Sequence, residues 1–159
     1  MDRMQRRSPV DFQDSGLRTE ERQGWTVVLE YGQEGEGPWI IDLSHLPRWD
    51  LQDRDVDSYQ PCGVQVPARP GQVSLDRQVI ISRMNRTQAA VWHLPGNAQE
   101  MPKQPAYTDI GENGMCLAVL GPGALALAEK VTNLDFSDPG RDLPCLIQGP
   151  MAHVPCQIV

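Results

Sequence analysis

The sequence predicts an α+β fold with mixed or antiparallel sheets and few helices. Short apolar segments rich in β-branched residues recur along the chain between turns that contain Gly and Pro, which is typical of strands. One stretch, from about Pro122 to Asn133, instead has apolar residues at three- and four-residue steps, the spacing of one helix face. Because strands precede and follow this helix without regular alternation, the order favours α+β over a parallel doubly wound sheet.

The first 24 residues are predicted to lie outside the core. They mix Arg with Asp and Glu and have almost no periodic apolar pattern, so we expect a flexible tail or a docked extension. From Trp25 onward the chain is predicted to form a single module. It consists of two halves, 25–94 and 106–159, joined by 95–105, a segment with Gly, three prolines and no apolar rhythm.

The first half is predicted to begin with three strands. Thr26–Tyr31 is rich in β-branched and aromatic residues, and Trp39–Leu43 is an apolar run that we expect to be buried on both faces. Trp49–Leu51 suggests a third strand, after which the acidic run Asp53–Asp57 opens a short helical turn.

A β-hairpin is the clearest local prediction. Val79–Met84 and Ala89–Leu94 are both apolar and β-prone, and the polar segment Asn85–Gln88 between them is typical of a turn. These segments therefore predict two antiparallel strands.

The second half is predicted to contain two strands before the single helix and two strands after it. Tyr107–Ile110 and Met115–Leu120 precede the helix, and Leu143–Gln148 and Val154–Val159 follow it. A final strand without a cap presents an unpaired edge, which predicts a protein partner or a homo-oligomer.

The charge of the chain excludes some classes of partner. With 14 Lys and Arg against 21 Asp and Glu, the net charge is −7, whereas a phosphate backbone is held by clustered Lys and Arg. No apolar run approaches the roughly 18 residues of a membrane span, and the N-terminus lacks the apolar centre of a secretory signal. We therefore expect a cytoplasmic protein that binds neither nucleic acid nor membrane.

The cysteines predict reduced thiols rather than a metal centre. They are widely spaced, without a C-x-x-C pair or a His at zinc-ligand spacing. The four are Cys62, Cys116, Cys145 and Cys156.

A possible nucleophilic site lies in the stretch IIDLSHLPRWDL, which contains Asp42, Ser44 and His45. A catalytic Ser needs a base within hydrogen-bond reach and a carboxylate that orients the base. Along a strand, however, Ser44 and His45 point to opposite faces, and no G-x-S-x-G motif is present. We favour the interpretation that Asp42 and Ser44 bond backbone groups at the turn that closes the strand.

Two isolated carboxylates near apolar strands are candidates for ligand binding. Asp76 and Asp109 would hold an amine or the amidine edge of a pterin if a cleft desolvated them in part, although most such residues cap turns. His93 and His153 are interpreted as packing or surface residues, and Gly121–Gly123 as a strand-to-helix turn.

Several short motifs occur in a recognisable order. Trp39–His45 (WIIDLSH) has an apolar run followed by D-x-S-H, Thr108–Ile110 supplies a T-D strand, and Cys116–Ala124 (CLAVLGPGA) an L-x-G-P-x-A junction. Leu134–Phe136 and 144–155 complete the order. Together they resemble the folate-binding aminomethyltransferase superfamily, which includes the glycine-cleavage T protein and the sarcosine oxidase gamma subunit, to which the closing segments are most similar.

The resemblance spans about Trp25 to Val159 and implies a fold like the aminomethyltransferase folate-binding domain. It implies tetrahydrofolate as the ligand, no metal, and Asp42, Asp76 and Asp109 as ligand-binding residues. It also implies that the D-x-S-H stretch shapes a substrate cleft rather than forming a catalytic pair.

The chain departs from the family pattern in its acidic residues. Where the T protein has an acidic pair after a Gly-Gly turn, GQVSLDRQV has only Asp76, and the K-G-C-Y-x-G-Q signature of the iron–sulfur branch is absent. We therefore expect a non-catalytic or weakly active accessory subunit of a sarcosine oxidase-like one-carbon system. The alternatives are a tetrahydrofolate-binding aminomethyltransferase and, third, a hydrolase built on Ser44 and His45.

Overall fold

The computed structural model describes Ser8, Val10 and residues 17–32, 35–95, 97 and 99–159. Most of the predicted N-terminal tail lies outside these residues. Within the tail, the structure shows a strand at Arg18–Arg22, which the sequence did not predict.

The fold is mostly β, and the predicted α+β class is wrong. Strands make up 40% of the structure and helix 8%, so helix is a minor component. In the described residues the strands and the α-helix are β1 (Arg18–Arg22), β2 (Trp25–Glu30), β3 (Trp39–Asp42), β4 (Arg48–Gln52), β5 (Val73–Asp76), β6 (Val79–Asn85), β7 (Gln88–His93), β8 (Tyr107–Asp109), β9 (Leu117–Leu120), α1 (Ala124–Ala128), β10 (Ile147–Met151) and β11 (Val154–Ile158). Two 3₁₀ turns, Val56–Ser58 and Pro61–Gly63, lie between β4 and β5.

The predicted helix is the main source of that error. It was expected from about Pro122 to Asn133, but α1 has only five residues. Leu125 and Val131, which belong to its apolar stripe, are exposed. Since most helix stability in proteins comes from burying an apolar face, a stripe without a packing partner supports little helix.

The chain divides into two compact units that differ from the predicted halves. The first unit combines residues up to His45 with 112–127, and the second combines 46–111 with 128–159. The predicted joint at 95–105 therefore lies within the second unit.

The first unit contains two antiparallel two-stranded sheets. In one, β1 pairs with β2 through a turn at Gln23 and Gly24, both of which have positive φ. In the other, β3 pairs with β9, with Trp39 opposite Leu120 and Asp42 opposite Leu117. We call this second sheet the apolar ribbon.

The second unit is built on a five-stranded antiparallel sheet in the order β5-β6-β7-β4-β8. It also contains the hairpin β10–β11. The β6–β7 pair confirms the hairpin predicted for Val79–Met84 and Ala89–Leu94.

The core lies on one face of the five-stranded sheet. Trp49 faces Val91 across the β4–β7 pair, and Val91 faces Ile81 across the next pair, so the three side chains form one buried row. Leu51 and Ala89 form a second buried row beside it. From Trp49 onward, buried and more exposed positions alternate along β4, which is the pattern of a strand that packs on a core through one face.

Other predicted strands agree to within a few residues. Those predicted at Thr26–Tyr31, Trp49–Leu51 and Val154–Val159 correspond to β2, β4 and β11. The strand predicted at Leu143–Gln148 begins only at Ile147, whereas β5 was not predicted. In the described part of the chain, no helix has the length and apolar character that crossing a bilayer requires.

Candidate functional site

Strand β3 ends in a turn that Asp42 holds together. The backbone N–H of Ser44 donates to Asp42 Oδ1 at 2.9 Å, and the hydroxyl of Ser8 donates to Asp42 Oδ2. An Asp that accepts from the N–H two residues later forms an Asx turn. This bond confirms that Asp42 bonds a backbone group at the end of the strand.

Ser44 serves the same turn. Its side chain is buried, and its Oγ accepts the backbone N–H of Cys116 at 3.0 Å. The N–H of Leu43 donates to the carbonyl of Cys116 at 2.8 Å. The hydroxyl therefore ties the end of β3 to the residue before β9, as the structural interpretation of the D-x-S-H stretch predicted.

His45 lies beside a cavity of about 10 Å³ in the first unit. Burial lowers the pKa of His45, and the positive charge of Arg22 lowers it further, while Asp42 raises it. The imidazole is therefore neutral at pH 7. The residues that line the cavity are Ser8, Trp25, Thr26, Val27, Val28, Tyr31, Asp42 and His45.

The cavity is too small for an organic ligand. A volume of about 10 Å³ is close to the least that holds one water molecule, whereas small-molecule sites measure roughly 300 Å³ or more. Asp42, His45 and the cavity can therefore hold a water, but not a pterin, in this conformation.

The structure does not bring the predicted carboxylates of the second unit together. Asp76 is exposed at the end of β5 and pairs with Arg77, its Oδ2 lying 3.1 Å from Nε. Asp109 is exposed at the end of β8 and accepts the N–H of Gly111 at 2.8 Å. Because β5 and β8 are the two outer strands of the five-stranded sheet, four strand spacings of about 4.8 Å separate them.

These positions do not fit a tetrahydrofolate held between Asp76 and Asp109. About 19 Å of sheet lies between the strands that carry them, and each side chain already has a partner in its own turn.

The other titratable residues do not gather at one place. Among the residues that the structure describes, no group of three or more His, Cys, Asp or Glu side chains could hold a metal ion. The four cysteines are free thiols, and burial raises the pKa of Cys62. His93 is buried in the second unit beside Trp49, with ring centroids 6.2 Å apart.

The most unusual feature is the exposure of the apolar ribbon, which the sequence reasoning missed. The expectation that Trp39–Leu43 is buried on both faces is wrong. The exposed fractions are 41% for Trp39, 46% for Ile40, 38% for Ile41, 41% for Leu117, 37% for Val119 and 48% for Leu120. The apolar runs were visible in the sequence. Such a run indicates a strand whose faces another element should cover, but it does not show which part of the chain covers them.

No protein-family model matches the sequence, and no curated protein matches it either. The resemblance to folate-binding aminomethyltransferases therefore stays a prediction.

Proposed function

We propose that the protein is an accessory subunit of a sarcosine oxidase-like one-carbon system and acts by binding a protein partner, with little or no catalysis of its own. The observation that most directly supports this proposal is the exposure of the apolar ribbon. Contiguous exposed apolar surface on a folded protein commonly marks an interaction site.

The cross-strand register makes the ribbon apolar on both faces. Trp39 lies opposite Leu120 on one face, and Ile40 lies opposite Val119 on the other, because directly paired residues point to the same side. A strand that is apolar on both faces is typical of the middle of a covered sheet. Two strands alone are marginally stable in water, so a partner that covers them would stabilise the first unit.

The candidate residues support a structural role for the D-x-S-H stretch. Asp42 and Ser44 accept hydrogen bonds from backbone groups, so the stretch serves to close β3 and join it to β9. It thereby builds the ribbon on which the proposed function rests.

The test is reconstitution with the other subunits of a sarcosine oxidase-type complex from the same organism. We expect this chain to co-elute with them in fixed stoichiometry. We also expect Ile40→Lys to prevent co-elution, because it places an ammonium group in an apolar contact. Leu143→Lys is the matched control, since Leu143 is an apolar residue of the second unit that is 80% exposed.

Activity measurements separate this role from catalysis. In the reconstituted complex, we expect sarcosine oxidation to survive Asp76→Ala and Asp109→Ala. Loss of turnover in either variant with the complex intact would contradict the proposal. A thermal shift on adding tetrahydrofolate that either variant removes would instead favour the aminomethyltransferase alternative, since a ligand stabilises the state that it binds.

A further inference from the structure

The backbone edges of the apolar ribbon are open as well as its faces. Within the described ranges, β3 pairs with β9 and with no other strand, so each has an outer edge without a ladder. An open edge presents N–H and C=O groups that an extended peptide can bond. The ribbon therefore offers main-chain bonds for affinity and apolar faces for side-chain contacts.

The segments that form the ribbon and its ends carry acidic but no basic residues, and Glu36 is an exposed one. Residues 35–45 and 112–127 contain Glu36, Asp42 and Glu112 but no Lys or Arg. Glu36 precedes Trp39 at one end of β3, and Asp42 lies at the other, opposite Leu117. Both carboxylate oxygens of Asp42 already accept hydrogen bonds, and the positive charge of Arg22 acts on His45 beside it, so that end does not call for a basic partner. An occupant with a basic residue at the Glu36 end would be complementary to this surface.

The same charges disfavour a second copy of this chain as the occupant. Two ribbons in contact would bring like charges together, and each whole chain carries a net charge of −7. Like-charge juxtaposition at an interface opposes association.

On this basis we propose that the partner contributes an extended apolar strand with a Lys or Arg at the end that meets Glu36, and that this strand adds to an outer edge of the apolar ribbon by β-augmentation. This inference rests on the proposed function and specifies how its partner is recognised. The ribbon supplies the sheet edge, Ile40, Val119 and their neighbours contact the apolar side chains, and Glu36 faces the basic end.

A labelled peptide, Lys-Val-Thr-Val-Thr-Val-Lys, is the first probe, measured with the full chain by fluorescence anisotropy. A lysine at each end places an ammonium group beside Glu36 in either strand direction. One comparison peptide replaces both lysines with Glu, and another replaces both threonines with Pro, which removes two backbone donors. We expect the lysine peptide to bind about tenfold or more tightly than either, and added salt to reduce the difference from the Glu peptide.

A charge exchange tests the proposed recognition without relying on a loss of folding. Glu36→Lys should weaken binding of the lysine peptide and strengthen binding of the Glu peptide. Glu100→Lys is the matched control, because Glu100 is also exposed but lies in the second unit. Ile40→Lys should weaken binding of both charged peptides.

Three results would overturn the inference. They are equal binding of all three peptides, no binding of the lysine peptide, and an unchanged charge preference in Glu36→Lys. A concentration-dependent dimer in sedimentation that Ile40→Lys abolishes would also overturn it, because a second copy would then cover the ribbon.

Different results would contradict the accessory role and the strand-addition mode. If the lysine peptide does not bind but Ile40→Lys still disrupts the reconstituted complex, the accessory role stands and the strand-addition mode is wrong. If charge-dependent peptide binding is observed but no complex forms with oxidase subunits, the recognition mode stands and the accessory role is wrong.

Discussion

Arg83 is a buried cation whose N–H groups donate to backbone carbonyls of the turn beside it. Its side chain is 4% exposed, and Nε and Nη2 donate to the carbonyls of Asn85 and Arg86, each at 2.6 Å. Nη1 donates to Asp57 Oδ1 at 2.6 Å. The planar guanidinium thus joins the β6–β7 turn to the 3₁₀ turn after β4, which a single ammonium group cannot reproduce.

Replacing Arg83 by Lys should lower the free energy of unfolding by about 2–4 kcal/mol, because at least two charge-assisted bonds are lost. Urea denaturation measures the change. Arg77→Lys is the control, since Arg77 is exposed and pairs with Asp76 at the surface, where an ion pair contributes about 1 kcal/mol or less. Equal effects of the two substitutions would refute the matched-donor interpretation.

One buried and one half-buried histidine, His93 and His45, should make the protein sensitive to acid. Burial lowers the pKa of both His45 and His93 below the ordinary value of 6.5, and Arg22 lowers that of His45 further. As the pH falls below about 6.5, the unfolded chain therefore binds protons first, and the free energy of unfolding decreases. This stability is fully present above pH 6.5 and is lost towards the folded-state pKa.

His93→Phe should flatten the acid side of the stability profile. Nδ1 of His93 is buried and has no hydrogen-bond partner among the described residues. The substitution therefore removes a titrating ring and does not leave a former partner of Nδ1 without a hydrogen bond. Urea midpoints measured from pH 7.5 to pH 5 give the profile. A variant that loses stability in parallel with the native protein would show that His93 does not contribute to the pH dependence.

At the scale of elements, Trp39 and Gly121 fix one end of the apolar ribbon. A Cβ on Gly121 would lie 2.6 Å from Cζ3 of Trp39, and Gly121 has φ +90°. The indole N–H donates to the carbonyl of Gly35 at 3.1 Å, so the ring cannot move aside without breaking that bond. Gly121 thus meets both a conformational and a steric requirement.

Gly121→Ala should destabilise the first unit by roughly 2–4 kcal/mol, combining the strain of positive φ with displacement of the indole. Gly123→Ala is the control for strain alone, because Gly123 has φ +78° and open space around it. Adding Trp39→Leu should reduce the cost of Gly121→Ala, as a double-mutant cycle in urea would measure. Equal costs at the two glycines would refute the steric contact.

The turn of the β5–β6 hairpin is built from residues that disfavour its geometry. Arg77 and Gln78 have φ of 46° and 63°, as type I′ turns require, although Asn-Gly is the preferred pair. Replacing them with Asn-Gly should raise the free energy of unfolding by about 0.5–1 kcal/mol, measured as an increase in Tm. A decrease would show that the side chains of Arg77 and Gln78 stabilise more than their backbone strain costs.

Across the whole molecule, the sequence predicted strands correctly where neighbouring residues alone determine the structure. The β6–β7 hairpin was predicted because both strands and their turn are contiguous in sequence. The pairing of β4 with β8, and of β3 with β9, was not predicted, because no short-range pattern specifies which distant strands meet.

In the candidate site, too, the local features were predictable from the sequence and the long-range ones were not. The turn made by Asp42 and Ser44 is local and was predicted correctly, since an Asx turn depends on neighbouring residues. That Asp76 and Asp109 lie on opposite outer strands depends on the strand order of the sheet. The exposure of Ile40 likewise depends on which parts of the molecule cover β3, so it required the structure.

Amide hydrogen exchange should distinguish the parts of the molecule. We expect the slowest exchange in β7, which has β6 and β4 as neighbours and buried residues at Ala89, Ala90 and Val91. The apolar ribbon should exchange faster, because both of its strands have an outer edge without a ladder in the described residues. Mass spectrometry of the exchanged peptides measures both, and uniform protection would contradict this expectation.

The position of β4 between β7 and β8 has a consequence for biosynthesis. Its residues, Arg48–Gln52, leave the ribosome well before Gln88–His93 and Tyr107–Asp109, the segments with which they pair. Closing such long loops is entropically unfavourable and slows folding. Trp49 and Leu51 therefore stay without their strand partners until the later strands emerge, and apolar side chains exposed during that interval favour aggregation of the nascent chain.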